Sequence, residues 1–161
     1  MFRGNVATRL AKLAAGEADV TLLAAAGLER LGQSHVGTPL DAEDWLPAPA
    51  QGAIGIECLA ARADVVAWLA AIDDAPSHAA IRAERGLLEA LGGNCHSPIA
   101  VLTRPDGAGL HMRAALYSPD GAERVEAEMT FADATSPAQL AAHLLEIAPE
   151  AIRLHFAGPP R

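Results

Sequence analysis

Apolar positions follow one rhythm in the first half of this chain and another in the last third. Residues 8–15 put Leu10 and Leu13 on one side and end at Gly16, which predicts a short helix. The residues before it, 1–6, read as the end of a strand running into a loop. Val20-Thr-Leu-Leu-Ala24 is a continuous apolar run of strand length, the pattern of a strand buried on both faces. Residues 27–32 predict a turn or two of helix. Together these segments read as part of a βαβα unit with a parallel sheet. Residues 33–44 are polar and turn-rich, so a surface loop is expected there. In Leu46-Pro-Ala-Pro-Ala-Gln-Gly-Ala-Ile-Gly-Ile-Glu57 two prolines mark an extended crossover. Residues 53–57 then form a short strand, with Gly52 and Gly55 at close backbone approaches. Residues 62–72 and 77–91 are helical. The second helix carries Ile81, Leu87, Leu88 and Leu91 at helical spacing, with Pro76 near its start.

From residue 99 the period changes to two. Residues 99–103, 110–117 and 123–131 predict strands, with Pro105-Asp-Gly107 and Pro119-Asp-Gly121 as turns between them. A helix over 137–147 follows, capped by Ser136. The expected fold is therefore mixed: incomplete α/β material first, then a small α+β domain with a three-stranded antiparallel sheet. The boundary falls near residues 73–77.

Composition narrows the classes. A length of 161 residues suits one domain or two small ones. At 51% hydrophobic the chain is not a disordered segment, but 37 of its residues are Ala, so burial must come from Leu, Ile and Val. Twenty acids against twelve bases leave a net charge of −8, which argues against nucleic acid or an anionic membrane as partner. Two cysteines, Cys58 and Cys95, make no disulfide framework and point to a reducing cytoplasm. No charge-free apolar run reaches the roughly 18 residues of a membrane span, and no signal peptide is expected.

Eleven of the twelve bases are Arg. Arg3 and Arg9 flank a short Gly-Asn-Val-Ala-Thr loop, and Arg30 follows the next strand. In a parallel α/β unit, loops at the carboxyl ends of strands converge on a ligand-binding edge. Three guanidinium groups there would suit a carboxylate-rich ligand; the plainer alternative is three solvated surface arginines. Cys95 lies in Leu91-Gly-Gly-Asn-Cys-His-Ser-Pro-Ile99, a Gly-rich loop between a helix and a strand. Such a thiol can be a nucleophile, a covalent attachment point or a metal ligand, or else a buried inert cysteine. Cys58, in an apolar stretch, reads as inert. Cys58, Cys95 and His96 supply too few ligands for structural zinc, so no metal is expected. Glu84-Arg85 reads as a local ion pair on a solvated helix face. No Ser-His-Asp arrangement and no phosphate loop is present.

Four blocks stand in one order: Arg3-Gly-Asn-Val-Ala-Thr-Arg9-Leu-Ala-Lys-Leu; Leu23-Ala-Ala-Ala-Gly-Leu-Glu-Arg30-Leu-Gly; the segment Leu46 to Glu57; and Glu84-Arg85 with Gly93-Asn-Cys95-His-Ser-Pro-Ile99. In this order and spacing they resemble the porphobilinogen deaminase, or hydroxymethylbilane synthase, family, over about the C-terminal half of the family's length. The resemblance implies that residues 1–73 are the C-terminal part of a central, periplasmic-binding-protein-like α/β domain with its return crossover strand. Residues 74–161 would be the α+β cofactor-carrying domain. It implies an enzyme that joins four porphobilinogens with loss of ammonia, on a dipyrromethane cofactor bound by thioether to Cys95. Arg3, Arg9 and Arg30 match arginines that pair with acetate and propionate side chains, and Gln51 and Gly52 match the crossover near the cofactor. The family's catalytic carboxylate belongs to its N-terminal half, so no residue here is assigned to catalysis. The partners implied are porphobilinogen, the growing pyrrole chain and an N-terminal half if that is made separately. A non-catalytic tetrapyrrole- or cofactor-binding module is the alternative; an enzyme built on Cys95 and a histidine is a third, more remote one.

Overall fold

The computed structural model describes residues 3–132 and 136–156. They form helices α1 (Val6–Ala14), α2 (Ala25–Arg30), α3 (Ala63–Ala70) and α4 (Ala75–Ala90). Strands β1 (Ile99–Asp106), β2 (Gly109–Tyr117) and β3 (Arg124–Phe131) follow, then helices α5 (Ser136–Ile147) and α6 (Glu150–Arg153). The chain parts into two compact units between Asp41 and Ala42. The fold is mixed α/β with a three-stranded antiparallel sheet and helices.

In the first unit Asn5 caps α1, its side chain accepting the Thr8 N–H at 2.9 Å. Gly16, at φ +74°, ends the helix as expected. Val6 lies against Gly27, where an added Cβ would stand 3.7 Å from Val6 Cγ2, so the start of α1 packs on α2. Leu28 is the one buried hydrophobic residue of this unit among the described residues.

In the second unit the sheet order is β1-β2-β3. Ile99 pairs with Leu116 and Asp106 with Gly109, which leaves a two-residue loop with Gly107 at φ +57°. Pro105 and Asp106, expected in the turn, thus belong to β1. Proline is tolerated there because β1 is an edge strand. Leu110 pairs with Phe131 and Tyr117 with Arg124. The period of two then decides which side chains meet which layer. Val101, Met112, Ala114 and Leu116 face α4 and α5, packing on Leu87, Leu91, Leu140 and Leu144. Each large aliphatic side chain buried there contributes about 1.5–3 kcal/mol. The opposite face, Ala100 and Ala115, is covered by Leu46. Asp74 caps α4 by accepting the Ser77 N–H at 2.9 Å, and Pro76 sits in the first turn, where its missing N–H costs nothing. Ser136 begins α5; its side chain, expected as the cap, lies outside the described residues. Helix α6, absent from the sequence expectations, adds Ile152 to the core.

Two expected strands do not form. Neither residues 20–24 nor residues 53–57 pair with a strand, and no parallel pairing occurs among the described residues. Val20 is 83% exposed and Ile54 81%. An apolar run becomes a strand only where another strand takes its N–H and C=O groups, and none of the described residues does so. Residues 3–5, expected to end a strand, instead lead into the cap of α1.

Candidate functional site

The segment after α4 is shaped by its own hydrogen bonds. Gly92, at φ +65°, turns the chain out of the helix, and the Gly93 N–H returns to the Leu88 carbonyl at 2.8 Å. A Cβ on Gly93 would meet Leu88 Cδ1 at 2.6 Å and the Leu88 carbonyl at 3.3 Å, so a side chain there requires Leu88 to shift. Asn94 and Ser97 then close a turn. The Ser97 N–H donates to the Asn94 carbonyl at 3.0 Å. The Asn94 N–H donates to Ser97 Oγ at 2.9 Å, and the His96 N–H to Asn94 Oδ1 at 2.9 Å. Cys95 and His96 occupy the two corner positions, and both are exposed. The sequence expectation of an accessible thiol on a loop between helix and strand matches this geometry. No hydrogen bond joins Cys95 to His96 among the described residues, so nothing there supports a Cys–His pair.

Cys58 departs from its expectation. It is exposed, not packed as an inert thiol, because the strand that would have buried it does not form. Exposure therefore does not distinguish the two thiols; what distinguishes them is the hydrogen-bonded turn under Cys95. No cluster of three or more metal-binding side chains occurs among the described residues.

The arginines sit on the first unit. Arg9 is on α1 and donates from Nε to the Gly4 carbonyl at 3.1 Å. Gly4 has φ +115°, and a Cβ there would strike Thr8 at 2.8 Å, so the bend leading from Arg3 into α1 is closed to other residues. The stretch between Arg3 and Arg9, expected as a loop, is largely the first turn of α1. Arg30 ends α2. Arg3 and Arg30 are exposed, and among the described residues none of the three forms an ion pair. In the second unit, by contrast, Arg62 holds Asp64 at 2.7 Å, Arg104 holds Glu43, and Arg113 and Arg124 share Glu126.

Gln51 and Gly52 lie in a turn over residues 48–52. Gln51 N–H donates to the Ala48 carbonyl at 3.1 Å, and Gln51 Oε1 accepts the Ala48 N–H at 3.1 Å. Ala50 takes φ +57°, an unusual conformation for a residue with a Cβ. Its N–H is held by Glu84 Oε2 at 2.7 Å. Glu84 is thus not half of a surface ion pair with Arg85. It is buried, only 7% exposed, and desolvation raises its pKa against the opposing influence of the Ala50 N–H and of nearby Thr103. The signal was present in the sequence: position 84 falls on the stripe of Ile81, Leu88 and Leu91, where a lone acid faces inward.

Two family models match the chain. One, described as "Porphobilinogen deaminase, dipyromethane cofactor binding domain", covers residues 1–67. The other, "Porphobilinogen deaminase, C-terminal domain", covers residues 78–147. The chain belongs to the porphobilinogen deaminase family. Relatives named porphobilinogen deaminase include one from Sphingopyxis alaskensis, 54% identical over 158 residues, which are 98% of this chain and 50% of the relative. One from Burkholderia mallei is 46% identical over 87% of this chain and 43% of its own length. One from Stenotrophomonas maltophilia is 44% identical over 79% of this chain and 42% of its own length. The chain spans about half the length of these relatives. Within the porphobilinogen deaminase family match, the cofactor-domain segment contains Arg3, Arg9, Arg30, Gln51 and Gly52, and the C-terminal segment contains Glu84 and Cys95.

Proposed function

We propose that this chain is the C-terminal part of a hydroxymethylbilane synthase, a transferase of porphyrin and haem biosynthesis. The enzyme condenses four porphobilinogens into a linear tetrapyrrole and releases ammonia at each addition. The observation that carries the reading is Cys95 in a chain of this family: an exposed thiol at the corner of a turn locked by Asn94 and Ser97. These residues fit a dipyrromethane group held by thioether, because a free sulfur at a turn corner is open to alkylation. The group, when bound, supplies the primer pyrrole to which further units are added. Arg3, Arg9 and Arg30 would hold its acetate and propionate carboxylates through paired, charge-assisted hydrogen bonds. They are available for that role, since none is engaged by a carboxylate among the described residues. The Gln51–Gly52 turn would line the same ligand with backbone and amide donors. Catalysis needs a carboxylate to stabilise positive charge as ammonia leaves. That group is assigned to the family's N-terminal half, so the 161-residue chain by itself is expected to bind without turning over.

The same reading places the family's domain boundary at residues 73 and 74. Residues 1–73 would complete a periplasmic-binding-protein-like α/β domain, and 74–161 would form the cofactor-carrying domain. The interval between the two matched segments, residues 68–77, supports this cut, which differs from the division into compact units at Asp41. The partners are porphobilinogen, the growing pyrrole chain and the N-terminal half of the enzyme, and the compartment is the cytoplasm. No described helix is long and apolar enough to cross a membrane.

The test joins this chain to the N-terminal half of the Sphingopyxis alaskensis relative and maps the cofactor mass by peptide spectrometry. Cys95→Ser abolishes the adduct and Cys58→Ser keeps it. A carbon–sulfur link also survives reducing agents. An adduct on Cys58, or one that persists without Cys95, overturns the reading.

A further inference from the structure

We propose that Glu84 is a positioning residue: its carboxylate locks the 48–52 turn, and with it Gln51, onto the helix that leads to Cys95. The contact spans 34 residues of sequence and joins two segments that share no strand pairing. Among the described residues it joins two other contacts between the crossover and the sheet domain. Leu46 is buried against Ala100 and Ala115. The Val101 N–H donates to the Pro47 carbonyl at 2.7 Å. The Ala50 N–H donates to Glu84 Oε2 at 2.7 Å. The first two fix the approach of the chain; among the described residues only the third is a hydrogen bond to the turn itself.

The turn needs such a tie. Ala50 sits in the left-handed region at φ +57°, where a residue with a Cβ persists only when its surroundings hold it. The exposed crossover beyond it offers no packing, since every residue from 51 to 60 is exposed. Gln51 uses Oε1 inside the turn, on the Ala48 N–H. Its side-chain NH2 is therefore the part that remains to donate to a ligand. Glu84 is the one charged residue among the buried side chains described, and burying a carboxylate is costly unless it has a task or a partner. The groups that oppose its desolvation are the Ala50 N–H first and Thr103 on β1 after it. Thr103 Oγ1 is buried with no hydrogen-bond partner, so the hydrogen bond that the carboxylate makes among the described residues is the one from the Ala50 N–H. Helix α4, which carries Glu84, runs seven residues on to its cap at Leu91 and delivers the chain to the Asn94–Ser97 turn. One side chain thereby sets Gln51 against the frame that presents Cys95.

That Gln51 serves a cofactor rests on the proposed function; the lock itself does not, and it can be tested without ligand. The experiment is proton–nitrogen NMR on the 161-residue chain, comparing wild type, Glu84→Gln and Glu84→Leu between about pH 3.5 and 8. In the wild type the Ala50 amide shifts with a single titration whose midpoint lies above the ordinary glutamate range. In E84Q the turn persists, because the amide oxygen still accepts the N–H, but the Ala50 titration disappears. In E84L the Ala50 amide exchanges with solvent at least tenfold faster, and its coupling constant averages. An Ala50 amide that ignores pH in the wild type overturns the proposal, even if E84L fails to fold. So does an E84L protein that folds with unchanged Ala50 exchange and coupling. Absence of deaminase activity in the completed enzyme would count against the proposed function and leave this result standing.

Discussion

Residues 75–156 close a core within themselves, whereas residues 3–72 leave most of their apolar side chains in water. In the first region Leu87, Leu116, Leu140, Leu144 and Ile152 are fully buried between sheet and helices. In the second, among the described residues, only Leu28 and Leu46 are buried, while Val20, Leu22, Ile54, Ile56 and Trp68 are exposed. The cause is topological. Hairpin strands find their partners a few residues away, so β1, β2 and β3 complete one another inside a short stretch of chain. Strands of a parallel sheet need partners a crossover or more distant. Residues 20–24 and 53–57 have no strand partner among the described residues, and the chain spans about half the length of the relatives it matches. The two regions therefore test different things: one the chain's own stability, the other what a relative's N-terminal half adds to it.

The largest expected contrast is in hydrogen exchange. Local opening free energies run from near zero to the global value, commonly about 5–15 kcal/mol, across one molecule. Amides before about residue 73 should exchange with little protection, apart from those tied to the sheet domain such as the Ala50 N–H, and those of residues 77–131 near the global limit. Exchange followed by mass spectrometry on the monomer checks this. Uniform protection along the chain would show that the first region is self-sufficient and erase the comparison.

The arginines sharpen it next. In the isolated chain Arg3→Leu, Arg9→Leu and Arg30→Leu should each change stability by less than about 0.5 kcal/mol, as expected of surface sites. In the completed enzyme each should weaken assembly or elongation by roughly 1.5–3 kcal/mol, the worth of a hydrogen bond to a charged group. Lys should substitute poorly, since it lacks the planar fork. Single-turnover assays with porphobilinogen read the effect, and three unaffected variants would return these residues to plain surface arginines.

What was legible in the sequence follows the same division. Helix α4 and the three strands were readable because their signals are local: Leu87 and Leu91 on one stripe, alternation along residues 110–117, Gly107 and Gly121 at the turns. The runs at 20–24 and 53–57 were equally apolar, yet a strand is a relation between segments and the sequence names only one of them. Cys58 was misread for that reason, since its expected burial depended on the missing sheet. The candidate site was legible as residues, and the family as a match. The role of Glu84 was not, because its partner is a backbone N–H 34 positions away.

Glu84 supplies a pH-dependent comparison. Its folded pKa is raised, first by desolvation, so the folded chain holds the proton more tightly than the unfolded chain. Its contribution to stability is therefore fully present below the unfolded value, about 4.3, and is lost as pH rises through the higher folded value. Wild type should gain on E84Q as pH falls through that window and be no more stable than E84Q at pH 7. Asp64, Asp74, Asp120 and Glu126, whose pKa values are lowered, act in the opposite sense. They are common to both proteins and cancel in the difference. Urea unfolding at pH 7 and near pH 4 measures it, and a difference independent of pH would mean that Glu84 is not desolvated.

The smallest expected effect is at Ile54. The residue is 81% exposed, so Ile54→Ser removes almost no burial and should shift the stability of the isolated chain by no more than about 0.5 kcal/mol. Leu144→Ala, at a fully buried position, should cost about 2–5 kcal/mol in the same urea titration. In the enzyme completed with a relative's N-terminal half, the comparison changes. If residues 53–57 then enter a sheet, Ile54 acquires neighbours, and the same Ser substitution costs roughly 1.5–3 kcal/mol, the worth of burying one aliphatic side chain. The residue would move from the exposed class to the buried class without any change in its own sequence. An Ile54→Ser penalty that is already large in the isolated chain would show that this segment is buried without help. A penalty that stays negligible in the completed enzyme would show that the relative's N-terminal half does not cover it.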